Sequence, residues 1–214
     1  MKKLTYLIAF FTLISCKQSL VQFAEAQPEN TKNIENFPKK LRGDYYDLEN
    51  DVNLTINENS IIKQITIKDT ININELSENE VLKNDTIFNL KNSNKFSVTK
   101  VNDSLLTNYI IVDTLFFISN ENVLKKTKGY YFLNTKYSAN DTWEVKKMVL
   151  KNGQLNINGI TSEDEIKLLE KITETTKDSI SPFVVKPTKK QFNTFVKQNG
   201  FTTGQNYLKS KNEN

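Results

Sequence analysis

The amino-acid sequence predicts a mainly β protein, an antiparallel β-sandwich or barrel-like sheet with C-terminal α-helices. Two observations predict the sheet: apolar residues alternate with polar ones at a period of two, and turn formers recur about every 8 to 12 residues. A third, the change to helical apolar spacing after residue 160, predicts the helices. The chain has 214 residues, of which 37% are hydrophobic and 25% charged, so one compact domain of ordinary size is expected.

The first element is not part of that domain. Lys2 and Lys3 precede an uncharged apolar run from Leu4 to Ile14, which ends in the small residue Ser15. This is the layout of a secretory signal. A membrane-spanning helix needs about 20 apolar residues, and the run stops well short at Lys17 and Gln18. Leu13-Ile14-Ser15-Cys16 then resembles the lipobox of bacterial lipoprotein precursors: an aliphatic residue, a tolerant position, a small residue and a cysteine. The resemblance implies diacylglyceryl transfer to the Cys16 sulfur, cleavage between Ser15 and Cys16, and a lipid anchor in a membrane. Cys16 is the only cysteine of the chain, and lipidation accounts for a thiol that has no intramolecular partner in an oxidising compartment. Because one acyl chain gives only marginal membrane binding, two or three on one residue make the durable anchor. Position 17 is Lys and not Asp, which by resemblance to the sorting rule of enteric bacteria favours the outer membrane.

Four segments are expected: a signal peptide over 1–15, the lipidated cysteine and a flexible tether over 16–36, an antiparallel β domain over 37–160, and a helical segment over 161–214 that packs on the sheet. The tether is read from weak apolar content, one proline and the absence of a sustained period between Lys17 and Asn36. In the β domain the alternation runs through Val52, Leu54 and Ile56, then Ile61, Ile65 and Ile67, then Ile71 and Ile73. Asn57-Glu58-Asn59, Lys68-Asp69, Asn84-Asp85, Lys91-Asn92-Ser93-Asn94 and Asn102-Asp103 supply turns. Further strands are expected over 86–90, 95–101, 105–112, 115–119, 129–134, 142–150 and 154–158. Asn152-Gly153 joins the last two, because Asn-Gly tolerates the positive φ angles of a tight hairpin. Within 142–150, Trp143 and Val145 fall on one face while Met148 and Leu150 fall on the other, so a β-bulge is expected there.

The helices have their own signals. Ser162 with Glu165 three positions on forms a capping box, and Ile166, Leu169 and Ile172 recur at helical spacing, which predicts a helix over 163–175. Thr188 with Gln191 repeats the device behind Pro187, Phe192, Phe195 and Val196 form a stripe, and Asn199-Gly200 marks the stop. A short third helix is expected to hold Tyr207 and Leu208. The aromatic side chains are read as core packing. Leu41-Arg42-Gly43-Asp44-Tyr45-Tyr46 and Lys128-Gly129-Tyr130-Tyr131-Phe132 echo one another, and the first resembles the Gly-x-Tyr opening of lipocalin-like barrels. The stretch from Asp113-Thr114-Leu115-Phe116 through Gly129-Tyr130-Tyr131-Phe132-Leu133-Asn134 to Phe192 resembles uncharacterised lipoproteins of Bacteroidota, a resemblance that brings no activity with it.

Composition narrows the chemistry. The net charge of +4 falls to about +2 once Lys2 and Lys3 leave with the signal (4 − 2), and Lys and Glu are interspersed, so nucleic acid is not an expected partner. With no histidine and its one cysteine acylated, the chain lacks the groups for Ser-His-Asp or Cys-His catalysis and for the usual zinc sites. Its six glycines form no phosphate-binding loop, and no cofactor is expected. Paired carboxylates, as in glycoside hydrolysis, or a Ser-Lys pair survive this screen; Asp44, Asp47, Glu49 and Asp51 cluster near the first strand. Oxygen-only calcium binding also survives, although no loop has EF-hand spacing.

One tripeptide recurs: Asp69-Thr70-Ile71, Asp85-Thr86-Ile87, Asp103-Ser104-Leu105, Asp113-Thr114-Leu115 and Asp178-Ser179-Ile180. It resembles the acceptor of the general O-glycosylation system of Bacteroidota, which implies sugar on Thr70, Thr86, Ser104, Thr114 and Ser179. The alternative is local structure, with Asp closing a turn and Thr plus an aliphatic residue opening a strand. Two functions remain open. One is a lipid-anchored binding or assembly module that presents a surface to an envelope protein, glycan or apolar ligand; the other is a carboxylate-based hydrolase of envelope or extracellular glycans.

Overall fold

The computed structural model describes residues 20–210 apart from 48, 93–94 and 176–182, so the signal-like segment, Cys16 and Ser179 lie outside the described residues. The chain is mainly β, and among the described residues its strands pair antiparallel in the main, with Val21–Phe23 parallel to Phe183–Val185. In order they are β1 (Val21–Phe23), β2 (Asn33–Ile34), β3 (Gly43–Asp47), β4 (Val52–Ile56) and the long β5 (Ser60–Asn72). β6 (Glu80–Lys83), β7 (Thr86–Asn89), β8 (Lys95–Val101) and the long β9 (Ser104–Phe117) follow. Then come β10 (Asn122–Thr127), β11 (Tyr130–Tyr137), β12 (Thr142–Lys151) and β13 (Gln154–Gly159). The C-terminal part holds α1 (Glu163–Thr173), β14 (Phe183–Val185), α2 (Lys189–Lys197) and β15 (Thr203–Lys209). Two compact units result, one from Met1–Glu35 with Ile118–Asn206 and one from Asn36–Phe117 with Tyr207–Asn214, where the sequence pattern put 37–160 in a single β domain.

In the first unit the strand order is β2, β10, β11, β12, β13, β15, and α1 and α2 bury their apolar stripes together with β1, β11, β12 and β14. Phe192 of α2 is the hub: its ring meets Phe23 at 5.9 Å, Phe132 at 5.0 Å and Phe201 at 5.9 Å, all edge to face. Such contacts add about 0.5–1.5 kcal/mol each beyond area burial. Both predicted capping boxes are present, Ser162 with Glu165 and Thr188 with Gln191. The expected tether is folded from Leu20 onward. The N–H of Leu20 donates to the Ile160 carbonyl, Val21 and Phe23 are fully buried, and β1 lies parallel to β14 and antiparallel to β12. A three-residue strand shows too little of its period to be told from a linker, which is why the pattern missed it. The following loop is pinned as well: the Asn134 side chain accepts from the Gln27 N–H and donates to the Gln27 carbonyl, while the Lys125 ammonium donates to the carbonyls of Ala26 and Pro28.

β12 contains no bulge. Its register runs unbroken against β11 and β13, and the shift in pattern arises because both of its faces are covered, burying Val145 on one and Met148 on the other. The segment over 161–214 is not wholly helical either, because β14 and β15 lie within it. Tyr207 and Leu208 belong to β15 and not to a third helix; Leu208 pairs with Tyr46 and Lys209 with Tyr45. A few residues after Gly200 are too short for a stable helix, and a free strand edge satisfies their backbone groups better.

In the second unit the order is β15, β3, β4, β5, β9, β8, β7, β6. Phe37, Leu41, Tyr45, Leu54, Ile56 and Ile61 are buried, and Phe37 meets Phe116 edge to face at 6.2 Å. A satellite core of Ile87, Val98 and Leu105, with Ile71, Ile73, Leu76 and Leu82 packed on it, lies under the far strands. The turn expected at Lys68-Asp69 is absent, since β5 pairs with β9 from Ser60 to Asn72 and the ladder overrides local turn preference. The strands expected over 105–112 and 115–119 merge into β9 for the same reason, with a register shift between Ile61 and Ile62 in place of a break. Asn84-Asp85 and Asn152-Gly153 do form two-residue turns with positive φ at both positions, 47° and 53° in the first and 52° and 78° in the second.

Candidate functional site

The recurring tripeptide gains a common geometry in the second unit. Pairing and alternation place Thr70, Thr86, Ser104 and Thr114 on one face of the sheet formed by β5, β7, β8 and β9. Their neighbours Ile71, Ile87 and Leu105 point to the other face, into the satellite core. None of the four hydroxyl residues is buried; Thr70 and Thr114 are exposed. Asp85 and Asp103 close two-residue turns, as the local reading requires, whereas Asp69 and Asp113 sit in mid-strand. The turn-and-strand explanation therefore accounts for two of these four copies and leaves Thr70 and Thr114 without it.

That same outward face carries apolar side chains that the described residues leave partly exposed. Val81, Phe88, Val101, Leu106, Ile110 and Val112 all project from it, and Leu106, Ile110 and Val112 on β9 remain 43%, 61% and 61% exposed. Single exposed aliphatic residues are ordinary, but three on one face of one strand, with Asn108 between Leu106 and Ile110 and others on neighbouring strands, form a patch. The sequence carried this signal in the alternation of Leu106, Ile110 and Val112 against Leu105, Thr107 and Ile111. It could not say which of the two faces would be left open.

The predicted carboxylates do not converge. Asp44 accepts a hydrogen bond from the Thr55 hydroxyl at 2.7 Å, and Asp47, three residues along β3, faces the other side of the strand. Asp47 caps its own turn by accepting from the Glu49 N–H and the Asn50 amide, and Asp51 pairs with Lys68 at 2.5 Å on the exposed surface. These are turn and surface contacts, each contributing little on its own. Among the described residues no three acidic or thiol side chains gather as metal ligands, and no helix is long and apolar enough to cross a membrane.

The most strongly held carboxylate is structural and lies in the first unit. Burial pushes the Glu165 carboxyl up, but the N–H groups of Thr202 and Thr161 and the Ser162 hydroxyl and N–H outweigh it and hold it below the ordinary carboxylate range. Beside it, burial lowers the Lys147 ammonium, which Glu165 partly restores; that ammonium donates to the Gly200 carbonyl at 2.8 Å. Together they tie α1 and β12 to the segment that follows α2, Glu165 through the Thr202 N–H and Lys147 through the Gly200 carbonyl. The chain matches no family model, no curated protein and no solved structure.

Proposed function

We propose that this chain is a lipid-anchored protein of the bacterial cell envelope, probing its surroundings as a non-catalytic binding or assembly module through the outward face of its second unit. The observation that carries the reading is the apolar row Leu106, Ile110 and Val112, set among threonines and exposed on a long antiparallel ribbon. Aliphatic side chains on a flat strand face suit another protein surface better than a glycan, which is gripped by aromatic platforms and paired acids. Lipid on Cys16 would hold the module at a membrane, with the outer membrane favoured by Lys17. In this reading Thr70, Thr86, Ser104 and Thr114 are acceptors for sugar during export, and Ser179 is a fifth. The scattering of Asp44, Asp47 and Asp51 speaks against the alternative, a carboxylate-based glycan hydrolase.

The test is purification of the tagged full chain from its native envelope in mild detergent, with mass spectrometry of the protein and of what accompanies it, and Cys16→Ala as control. The reading expects a mature N-terminus at Cys16 bearing acyl chains, a stoichiometric protein partner, and loss of both acylation and partner in the control. A chain that keeps residues 1–15, or a mature chain without acyl groups, sinks the anchor. An acylated but solitary chain sinks the assembly role.

A further inference from the structure

We propose that a cavity of the first unit, set between α2 and the β10–β11 turn, binds a phosphate group. The cavity measures about 550 Å³ and is lined by Lys128, Lys189, Lys190, Asn193, Thr194 and Lys197. None of its four ammonium groups forms an ion pair with a described residue.

Two local rules are broken here, and both departures add positive charge to the same cavity. The first turn of α2 contains no acidic residue and begins with Lys189 and Lys190, opposite to what the helix dipole favours at an N-terminus. The β10–β11 turn is a two-residue turn with φ of 47° at Lys128 and 87° at Gly129. The comparable turns place Asn84 and Asn152 at that first position, and asparagine tolerates positive φ far better than lysine does. Sequences that violate local preference without a packing reward do so characteristically at functional positions. The Glu29 carboxylate, from outside the helix, meets this end of α2: its Oε1 accepts the Lys189 N–H at 2.9 Å, so it serves the helix terminus. The field reaches further: burial lowers the Lys125 ammonium, Glu25 opposes this, and Lys189 adds to it.

The four lysines that line one cavity repel one another, and an anion among them relieves that repulsion. Phosphate fits best, because it carries up to two charges on a compact tetrahedron of acceptor oxygens, and lysines act on it as point charges. The volume exceeds a bare phosphate, leaving room for an esterified group. Either a soluble phosphate ester or a phospholipid headgroup supplies that chemistry. The second source is the one that lipid on Cys16 would bring close to this unit, because Leu20 is already bonded into it four residues after Cys16 (20 − 16), a span of at most about 14 Å. The cavity stands without the lipid-anchor reading; only the headgroup source leans on it.

The experiment uses the full chain carrying Cys16→Ser, in mild detergent, titrated calorimetrically with inorganic phosphate at low ionic strength. Saturable binding is expected, weakened by about tenfold or more in Lys190→Glu with Lys197→Glu, and by less than about twofold in Lys136→Glu, a charge reversal at the far end of β11 from the turn that carries Lys128. Lys190→Glu also raises Tm by about 1–3 °C, since it corrects the helix end, which shows that lost binding is not lost folding. In a second arm, flotation with phosphatidylglycerol and phosphatidylcholine vesicles identifies the source. Capture by the former that needs Lys190 and Lys197 and is displaced by phosphate points to a headgroup; phosphate binding without capture points to a soluble ester. No saturable phosphate binding, or equal weakening by Lys136→Glu, overturns the proposal.

Discussion

Glu165 shows how a single buried carboxylate can satisfy several backbone donors at once. All four bonds it accepts come from donors that would otherwise be buried beside an empty position: the Thr161, Ser162 and Thr202 N–H groups and the Ser162 hydroxyl. Its carboxyl is held below the ordinary range, so it binds a proton less readily folded than unfolded. The stability it contributes is complete above the unfolded value of about 4.3 and is lost as pH falls through the lower folded value. Glu165→Gln, which replaces an acceptor oxygen by an NH₂ facing donors, should cost about 2 kcal/mol at pH 7 and flatten the acid limb of the stability curve. Chemical denaturation at a series of pH values measures both. Gly204 makes a different kind of point. A Cβ built there would sit 2.1 Å from the Ile157 carbonyl oxygen and 2.5 Å from the Asn158 Cα, both backbone atoms that cannot step aside. Gly204→Ala should therefore destabilise by about 2 kcal/mol or more and loosen β15 from β13, seen as faster amide exchange in both strands.

At the scale of elements, the helices were legible because their signals are local. A capping box spans four residues and an apolar stripe spans three turns, so Ser162, Glu165, Thr188 and Gln191 announced α1 and α2 without reference to the rest of the chain. Two-residue turns at Asn84-Asp85 and Asn152-Gly153 were legible for the same reason. β5 and β9 were not, since Lys68-Asp69 has turn chemistry and only the partner strand keeps the backbone extended there. Among the described residues the outward face of the ribbon they form stays partly exposed. Ile110→Ser with Val112→Ser should hold Tm within about 2 °C, because exposed residues contribute little to stability, while abolishing capture of the partner proposed above. A drop in Tm of many degrees would mean that the row is covered and belongs to a core.

The whole molecule is divided where the sequence shows no division. Neither composition nor a proline- or glycine-rich linker marks the passage from Phe117 to Ile118 or from Asn206 to Tyr207, where the chain passes between units. The early segment is likewise indispensable in a way that its composition hides: Phe23 is fully buried against Phe192 in the main core of the first unit. Phe23→Ala should cost about 3–5 kcal/mol, as for any large aromatic residue removed from a packed core, whereas a residue of a flexible tether would cost nothing measurable. Thermal unfolding of the purified variant distinguishes the two.

By itself the sequence determined what depends on near neighbours: the β-rich character, the helix ends, the tight turns, the absence of imidazole chemistry, and the lipobox-like run up to Cys16. Only the tertiary structure decided what depends on residues far apart in the chain. It set β1 beside β14 and β12, ran β5 and β9 through their expected breaks, gathered Thr70, Thr86, Ser104 and Thr114 on one face, and brought Lys128 to a cavity with Lys189, Lys190 and Lys197. The physical reason is that period and capping are properties of a few consecutive residues. Which face is covered, and which charges meet, is fixed by contacts whose partners lie dozens of residues away and leave no mark on local pattern.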